Sequence, residues 1–337
     1  MPQIRPFYLN NVVFSNLFGK LAYRGCYNNR MKTNKSSTGV VPANKLAMEL
    51  LILVGTILLL AAIWGWWHYI YSHPNRVFWG AVDNSMKTHS VLRSFSQSER
   101  NQSLDQTMQL QTAPNQLTLG NSVLKQGTGE DEITVRTDLI GNPFNDFIRY
   151  SAIETSQKGV NGNALDFSKA VGEWGKTESE DPKSTNGQLY NQATLAVIPF
   201  GAINAAQRAK LVSIMQSTKA YEFQISEVSR KLVNGRPNYT FKVVLKPEGY
   251  ITLLKEYAGM VGLTQLANVD PNDYARRQSI SFSVSVDVWS RQITEFAPAD
   301  GGRVEKFTAY NALPLKTQIP DKTIPMSELQ SRVQSVQ

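Results

Sequence analysis

The chain has 337 residues, of which 42% are hydrophobic, and its formal net charge is +8. This length suffices for one or two domains with a substantial buried core. Most of the net positive charge lies at the N-terminus: residues 1–45 hold seven basic residues and no acidic one, whereas the chain after Ile70 holds 28 basic and 26 acidic residues. A nearly neutral body argues against nucleic-acid binding. We predict a basic tail at residues 1–45, which either sets the membrane orientation or lies on anionic headgroups.

The first predicted element is an apolar helix. Residues 50–67 read LLILVGTILLLAAIWGWW, eighteen residues without a charge. As a helix this stretch is about 27 Å long, close to the thickness of the hydrocarbon core of a bilayer. Tryptophan and tyrosine residues gather at its far end, as is typical of a membrane interface. We therefore predict a transmembrane signal-anchor helix at residues 46–71.

The charge asymmetry predicts the orientation of this helix. By the positive-inside rule the N-terminus stays in the cytoplasm, and residues 72–337 form an extracytoplasmic domain on the other side of the cell membrane. A cleaved signal peptide is the alternative, but AAIWG is a poor cleavage site. Cys26 precedes the span and is the only cysteine, so no disulfide is expected in the outer domain.

Beyond the apolar segment, the sequence predicts one short helix and then a series of strands. The helix follows Pro74 and has one face formed by Val77, Phe78, Ala81, Val82, Ser85 and Met86. Five segments within residues 90–156 then alternate between apolar and polar residues, and polar, Gly or Pro breaks separate them. This spacing predicts hairpins in a meandering antiparallel sheet.

The second half of the chain predicts two more helices between strands. INAAQRAKLVSIMQST reads as a helix with Ala205, Ala209, Val212 and Met215 on one face, and GYITLLKEYAGMVGL reads as a helix with a broad apolar stripe. Strand patterns occupy AYEFQISEVSRKLV and YTFKVVLKP, which the turn NGRPN joins. A capping box predicts a last helix at residues 327–330. Residues 72–337 are thus predicted to form one α+β domain.

One strand, SISFSVSVDV, alternates with unusual regularity, so one of its faces is apolar and the other polar. The apolar face must be covered, either by a packed core or by a hollow that takes an apolar ligand. The stripe of the GYITLLKEYAGMVGL helix is the second candidate wall. The candidate core or ligand-binding face comprises Ile280, Phe282, Val284, Val286, Val288, Tyr250, Leu254, Tyr257 and Val261.

The search for catalytic chemistry gives no site. None of the three histidines is spaced for a metal, and no Walker loop or G-x-S-x-G motif occurs. Ser122 and Lys125 match S-x-x-K, but they lie in a strand-like run without the partner motifs of penicillin-binding proteins. We expect no catalytic residue, no metal site and no cofactor, and hence not an enzyme.

The order of elements resembles a known family. A membrane-proximal helix, VFWGAVDNSMKTHSV, leads into strands that end in SISFSVSVDVWSRQITEF and VEKFTAYNALPLKTQIPDKTIP. Over residues 75–333 this pattern is similar to the LolA/LppX-type bacterial envelope proteins, which carry lipids and lipoproteins. The resemblance implies a curved antiparallel sheet, a half-barrel, covered by a few helices around a hydrophobic hollow. The chain departs from the family in its anchor, since it has a protein span and no lipidated cysteine.

Three functions follow as hypotheses. The first is a membrane-anchored binding protein of the cell envelope, whose partners are the bilayer and a lipid or lipoprotein ligand. The second is a non-enzymatic scaffold or interaction module in surface assembly, secretion or adhesion. The third is an envelope enzyme whose site residues are scattered along the sequence, although no residue pattern indicates one.

Overall fold

The computed structural model describes residues 43–159, 162–177, 185–299, 303–312 and 318–336. The chain divides into two compact units, Met1–Leu60 and Ala61–Gln337. The predicted basic tail lies outside the described residues except for residues 43–45, which begin the first helix. The predicted boundary between anchor and outer domain, at residues 71 and 72, stays a prediction.

Six α-helices occur within the described residues. They are α1 (Ala43–Gly65), α2 (Pro74–Met86), α3 (Gln188–Thr194), α4 (Ala205–Ser217), α5 (Pro247–Val261) and α6 (Met326–Gln334). A π-helical turn, Trp66–Tyr71, follows α1 directly. The stretch Leu51–Tyr71 has a mean hydropathy of 1.8, and its apolar window is wholly unburied. By length and composition it can cross a membrane.

The strands within the described residues form one sheet. They are β1 (Ser90–Glu99), β2 (Gln102–Gln111), β3 (Leu117–Gln126), β4 (Ile133–Gly141), β5 (Asp146–Thr155), β6 (Trp174–Lys176), β7 (Tyr221–Phe223), β8 (Ser229–Val233), β9 (Arg236–Leu245), β10 (Ile280–Asp287), β11 (Ile293–Pro298), β12 (Arg303–Thr308) and β13 (Ile324–Pro325). Their order is β13-β6-β5-β4-β3-β2-β1-β12-β11-β10-β9-β7, and β8 also pairs with β9. The sheet is therefore open and does not close into a barrel.

Two runs of hairpins meet in the middle of this sheet. The first run, β1 to β5, is the antiparallel meander that the alternation predicted. The second run, β9 to β12, joins it where β1 pairs with β12, with Phe95 opposite Glu305. All pairs between named strands are antiparallel except β6 with β13. The predicted α+β fold class, an apolar N-terminal helix followed by an open antiparallel sheet with helices, is confirmed.

Helix α2 buries the face that its sequence predicted. All six residues of that face are buried, from Val77 to Met86. Phe78 packs against aromatic rings from two strands, 4.6 Å from Phe223 and 5.3 Å from Phe241 between ring centroids. The helix therefore joins the main core, which it shares with α4, α5 and the inward faces of the central strands.

Helix α4 lies where it was predicted, and two residues of its predicted face contact the core, Met215 buried and Val212 half-buried, but the two alanines of that face do not. Ala205 and Ala209 are exposed, whereas Leu211 and Met215 are the buried residues of this helix. Alanine offers little apolar area, so burial of the larger pair at i and i+4 decides the orientation of the helix. Helix α5 buries the centre of its predicted stripe, Leu253, Leu254, Tyr257 and Ala258.

Three further elements differ from the sequence prediction. AYEFQISEVSRKLV forms two strands, β7 and β8, because a 3₁₀ turn at Ile225–Glu227 separates them. Strand β6 and helix α3 had no clear sequence pattern. The capping box predicted for α6 is absent because that helix begins at Met326, which places Ser327 inside its first turn. A capping box occurs instead at α4, between Asn204 and Gln207.

Candidate functional site

A cavity of about 490 Å³ lies between the sheet and the segments that cover it. We call it the sheet–helix hollow. Alternation along five strands directs its floor residues to one side of the sheet. The floor is formed by Arg93, Phe95, Gln106, Met108, Val284, Ile293, Phe296, Pro298, Arg303, Glu305 and Phe307. The floor is apolar except for Gln106 and three charged residues on β1 and β12, Arg93, Arg303 and Glu305.

The roof of the hollow is largely irregular chain. It is formed by Leu189, Gln192 and Ala193 of α3, by Leu195, Ala196, Val197, Ile198 and Phe200, and by Tyr250 of α5. We call residues 195–200 the roof segment. Irregular chain over a core is unusual, because its buried carbonyl groups need hydrogen-bond donors.

Three tyrosine hydroxyls supply these donors to the roof segment. Tyr250 donates to the Ala196 carbonyl at 3.1 Å, Tyr221 donates to the Val197 carbonyl, and Tyr257 donates to the Phe200 carbonyl. Burial raises the pKa of all three hydroxyls far above the ordinary tyrosine value. They therefore stay protonated, and remain donors, throughout the physiological pH range.

Helix α2 fixes the far end of the roof segment. The Ser85 hydroxyl donates to the Pro199 carbonyl at 2.9 Å, and the Ser85 carbonyl accepts from Gly201 N–H at 3.2 Å. Phe200 stacks on Phe307 of the floor with 5.3 Å between ring centroids. Roof and floor thus meet at Phe200, which closes the hollow on this side.

A cluster of three charged residues forms the polar part of the floor. Arg93 donates to both carboxylate oxygens of Glu305, from Nε at 2.9 Å and from Nη2 at 2.8 Å. Arg303 approaches the same carboxylate at 2.5 Å and lies over the Phe95 ring, 4.1 Å from its centroid. With two cations and one anion, this ion cluster carries a net positive charge at one place in an otherwise apolar hollow.

The structure separates the nine residues that the sequence singled out. Phe282, Val284, Val286 and Val288 are buried, as are Leu254 and Tyr257, whereas Tyr250 and Val261 are half-buried. Ile280 does not belong with them: it lies at the first position of β10 and is 58% exposed. The hollow itself is lined by Val284 and Tyr250 from this set. The other buried members belong to the core around it.

Sequence reasoning missed most of the hollow. The roof segment has neither helical nor strand periodicity, and Arg93 and Glu305 are 212 residues apart in the chain. Phe95 in β1 and Met108 in β2 each lie between two polar residues, and this alternation indicates that both side chains point to an apolar face. Phe95 and Met108 share one surface with Phe307 and Phe296 because β1 pairs with β12, and the sequence does not indicate that pairing.

A second cavity, of about 1190 Å³, lies at the β7–β9 edge of the sheet. Phe282 lines it together with Trp79 and Phe223, but so do several polar and charged residues, among them Glu222, Glu227 and Lys242. It is larger but more open and more polar than the sheet–helix hollow. Among the described residues, no group of three or more His, Cys, Asp or Glu side chains could hold a metal ion.

Comparison with known proteins shows a structural likeness but no sequence relative. No protein-family model and no curated protein sequence matches the chain. Among solved structures, LprF from Mycobacterium bovis is similar over 73% of this chain and 95% of its own, with 10% sequence identity and a TM-score of 0.38. At this level the likeness is one of general fold, and it carries no argument about a ligand.

Proposed function

We propose that the protein is a membrane-anchored binding protein of the cell envelope that takes a lipid or another apolar ligand in the sheet–helix hollow. The observation that carries the proposal is the hollow itself. Its volume of about 490 Å³ lies within the range of about 300–1,000 Å³ that is typical of ligand pockets. Its walls are mostly aliphatic and aromatic, which favours an alkyl chain over a polar substrate.

Two further features support this proposal. The roof segment is held by hydrogen bonds that stay formed at physiological pH, so the hollow is preformed and a ligand does not have to order it. The apolar stretch Leu51–Tyr71 is long and apolar enough to span a membrane, and the positive charges before it favour an orientation with the sheet domain outside the cytoplasm. On this proposal the protein is not an enzyme and needs no cofactor.

Native mass spectrometry of the full-length chain, released from detergent micelles, tests the proposal. We expect a fraction of the protein to retain a lipid or another amphiphile after the micelle is removed. Ala196→Phe places a ring in the hollow and should abolish this retained mass. Ala206→Phe, the same change at an exposed position of α4, should leave it intact.

A single ligand-free mass for the wild-type protein and both variants, with membrane lipids present during purification, would contradict lipid binding. That result would favour the scaffold or interaction-module hypothesis. Retained mass that Ala196→Phe does not change would show that the amphiphile binds elsewhere.

A further inference from the structure

The β8–β9 hairpin has an apolar and basic tip. All residues of β8 are exposed, and the tip residues Leu232 and Val233 are 73% and 44% exposed. Asn234 and Gly235 form a tight turn with φ of 52° and 75°, as a two-residue hairpin with the favoured twist requires. Charged side chains and a short length usually prevent an edge strand from pairing with another chain. Two large apolar side chains at an exposed tip therefore indicate that another surface covers them.

The turn between β10 and β11 lies directly beside this tip. Val288 N–H donates to the Pro237 carbonyl at 2.9 Å, which fastens the turn to the start of β9. The Arg236 guanidinium lies 3.7 Å from the Asp287 carboxylate and 5.9 Å from the centre of the Trp289 ring. Trp289 is 47% exposed. The tip and Trp289 thus form one continuous surface.

The same turn holds the end of the apolar stretch. The Tyr71 hydroxyl donates to the Trp289 carbonyl at 2.9 Å, and the Arg291 guanidinium lies 4.7 Å from the centre of the Tyr71 ring. Arg291 also donates to the Tyr71 carbonyl at 3.3 Å. Its side chain crosses α2 at Gly80, where a Cβ atom would come within 2.5 Å of Arg291 Cδ. The point where the chain leaves the apolar stretch is therefore fixed next to Trp289.

The charges of this surface suit anionic lipid headgroups. Arg230 and Lys231 make no ion pair with any described residue, and the nearest carboxylate to Arg236 belongs to the buried Asp287. Asp287 Oδ1 accepts hydrogen bonds from Trp289 N–H and Ser290 N–H, and the Arg236 guanidinium lies beyond hydrogen-bond distance of Oδ2 and is 57% exposed. Basic residues attract anionic headgroups, and tryptophan favours the interface between lipid and water.

We propose that this surface, formed by Arg230, Lys231, Leu232, Val233, Arg236 and Trp289, rests on the bilayer that the apolar helix crosses. Leu232 and Val233 enter the headgroup region, and the basic residues contact anionic headgroups. The surface therefore sets the orientation of the sheet domain on its membrane. The inference rests on the proposed membrane span but not on a ligand in the hollow.

Site-directed spin labelling of the full chain in lipid nanodiscs tests this surface. In a Cys26→Ser background, Leu232→Cys carries the label at the tip. Val304→Cys is the matched control, since Val304 is 39% exposed and lies on β12, away from the β10–β11 turn. With phosphatidylglycerol present, we expect the label at 232 to collide more with oxygen than with a water-soluble nickel complex. The label at 304 should show the reverse.

Removal of the charges gives a second, graded measurement. Arg230→Gln and Lys231→Gln should each lower the ratio of lipid-contacting to solvent-exposed label at 232 about fivefold, since each basic residue near an anionic surface contributes about that factor. Arg100→Gln in the β1–β2 turn and Lys125→Gln near the end of β3, both at exposed positions, should not change it.

Two results would overturn the inference. One is a label at 232 that collides with the nickel complex as often as the label at 304 does. The other is a label protected from both reagents, which would indicate a protein partner in place of lipid. A chain that does not insert into the nanodisc at all would overturn the proposed span as well, and that failure is separately visible because no protein would co-purify with lipid.

Discussion

At the scale of single residues, the ion cluster of Arg93, Glu305 and Arg303 explains how charge is tolerated in an apolar hollow. The side chains of Arg93 and Glu305 are only 14% and 8% exposed, so their pairing must offset the loss of hydration. Arg303 is 38% exposed and keeps contact with water. The three residues are therefore not equivalent, because Glu305 is the partner of both cations.

This difference predicts an order of stabilities. Glu305→Met leaves Arg93 buried without a partner and should lower the free energy of unfolding by about 3 kcal/mol or more. Arg93→Met leaves Glu305 paired with Arg303 and should cost less. The double variant, with Arg93→Met and Glu305→Met, should be more stable than Glu305→Met alone, because it also removes the unpaired Arg93 charge. Chemical denaturation of the four proteins measures this order, and additive losses in the double variant would contradict it.

Asp146 is a buried acidic residue, as Glu305 is, and it holds the start of α3, which forms part of the roof. Its carboxylate accepts from Gln188 N–H at 2.8 Å and from Leu189 N–H at 3.0 Å. Burial raises the pKa of Asp146 above its ordinary value of 3.8, and the two backbone donors oppose that shift only in part. The folded protein therefore binds the Asp146 proton more tightly than the unfolded chain does.

A raised carboxyl pKa has a definite consequence for stability. The Asp146 contribution is fully present below pH 3.8, where the carboxyl is protonated in both states, and it is lost as the pH rises through the folded pKa. We expect the free energy of unfolding of the wild type, relative to Asp146→Asn, to fall as the pH rises from 3.8 through the folded pKa. A relative stability that increases with pH would show that the two N–H donors outweigh burial.

At the scale of elements, the roof segment depends on side chains from other parts of the chain. Tyr221, Tyr250 and Tyr257 come from β7 and α5, and each hydroxyl satisfies a different carbonyl of residues 195–200. This arrangement gives hydrogen-bond donors to three carbonyl groups of an irregular segment that lies over a core. It also makes the roof sensitive to the loss of a single hydroxyl.

Tyr257→Phe removes one of these hydroxyls and keeps the ring. We expect a loss of about 1–3 kcal/mol in the free energy of unfolding, because the Phe200 carbonyl loses its donor in a buried position. Amide hydrogen exchange should increase in the roof segment. Tyr239→Phe is the control, since Tyr239 is half-buried and its hydroxyl makes no hydrogen bond with a described residue. Equal effects of the two changes would contradict the assigned role of Tyr257.

Elements with strong local patterns could be predicted from the sequence, and elements that depend on distant partners could not. The face of α2 and the β1–β5 meander follow from the spacing of apolar residues alone. The face of α4 was predicted only in part: Met215 is buried as expected, but Leu211, which was not in the predicted set, takes the place of Ala205 and Ala209. The roof segment gave no signal, since its hydrogen bonds come from tyrosines 24 to 57 residues away.

At the scale of the whole molecule, the order of strands creates the hollow. The pairing of β1 with β12 brings Arg93 and Phe95 beside Glu305 and Phe307, so one floor is assembled from both ends of the domain. The roof segment lies over that junction, and Phe200 closes one side. This apolar hollow, together with the proposed span before the domain, is the basis of the proposal that the protein binds lipid at its own membrane.

Photo-crosslinking tests this account most directly. The full-length chain in membranes would be irradiated with a fatty acid that carries a diazirine on its alkyl chain, and the modified peptides would be identified by mass spectrometry. We predict crosslinks in the roof segment and on β10 to β12, which an excess of unlabelled fatty acid suppresses. Crosslinks confined to the apolar helix and the β8–β9 tip would contradict a ligand in the hollow.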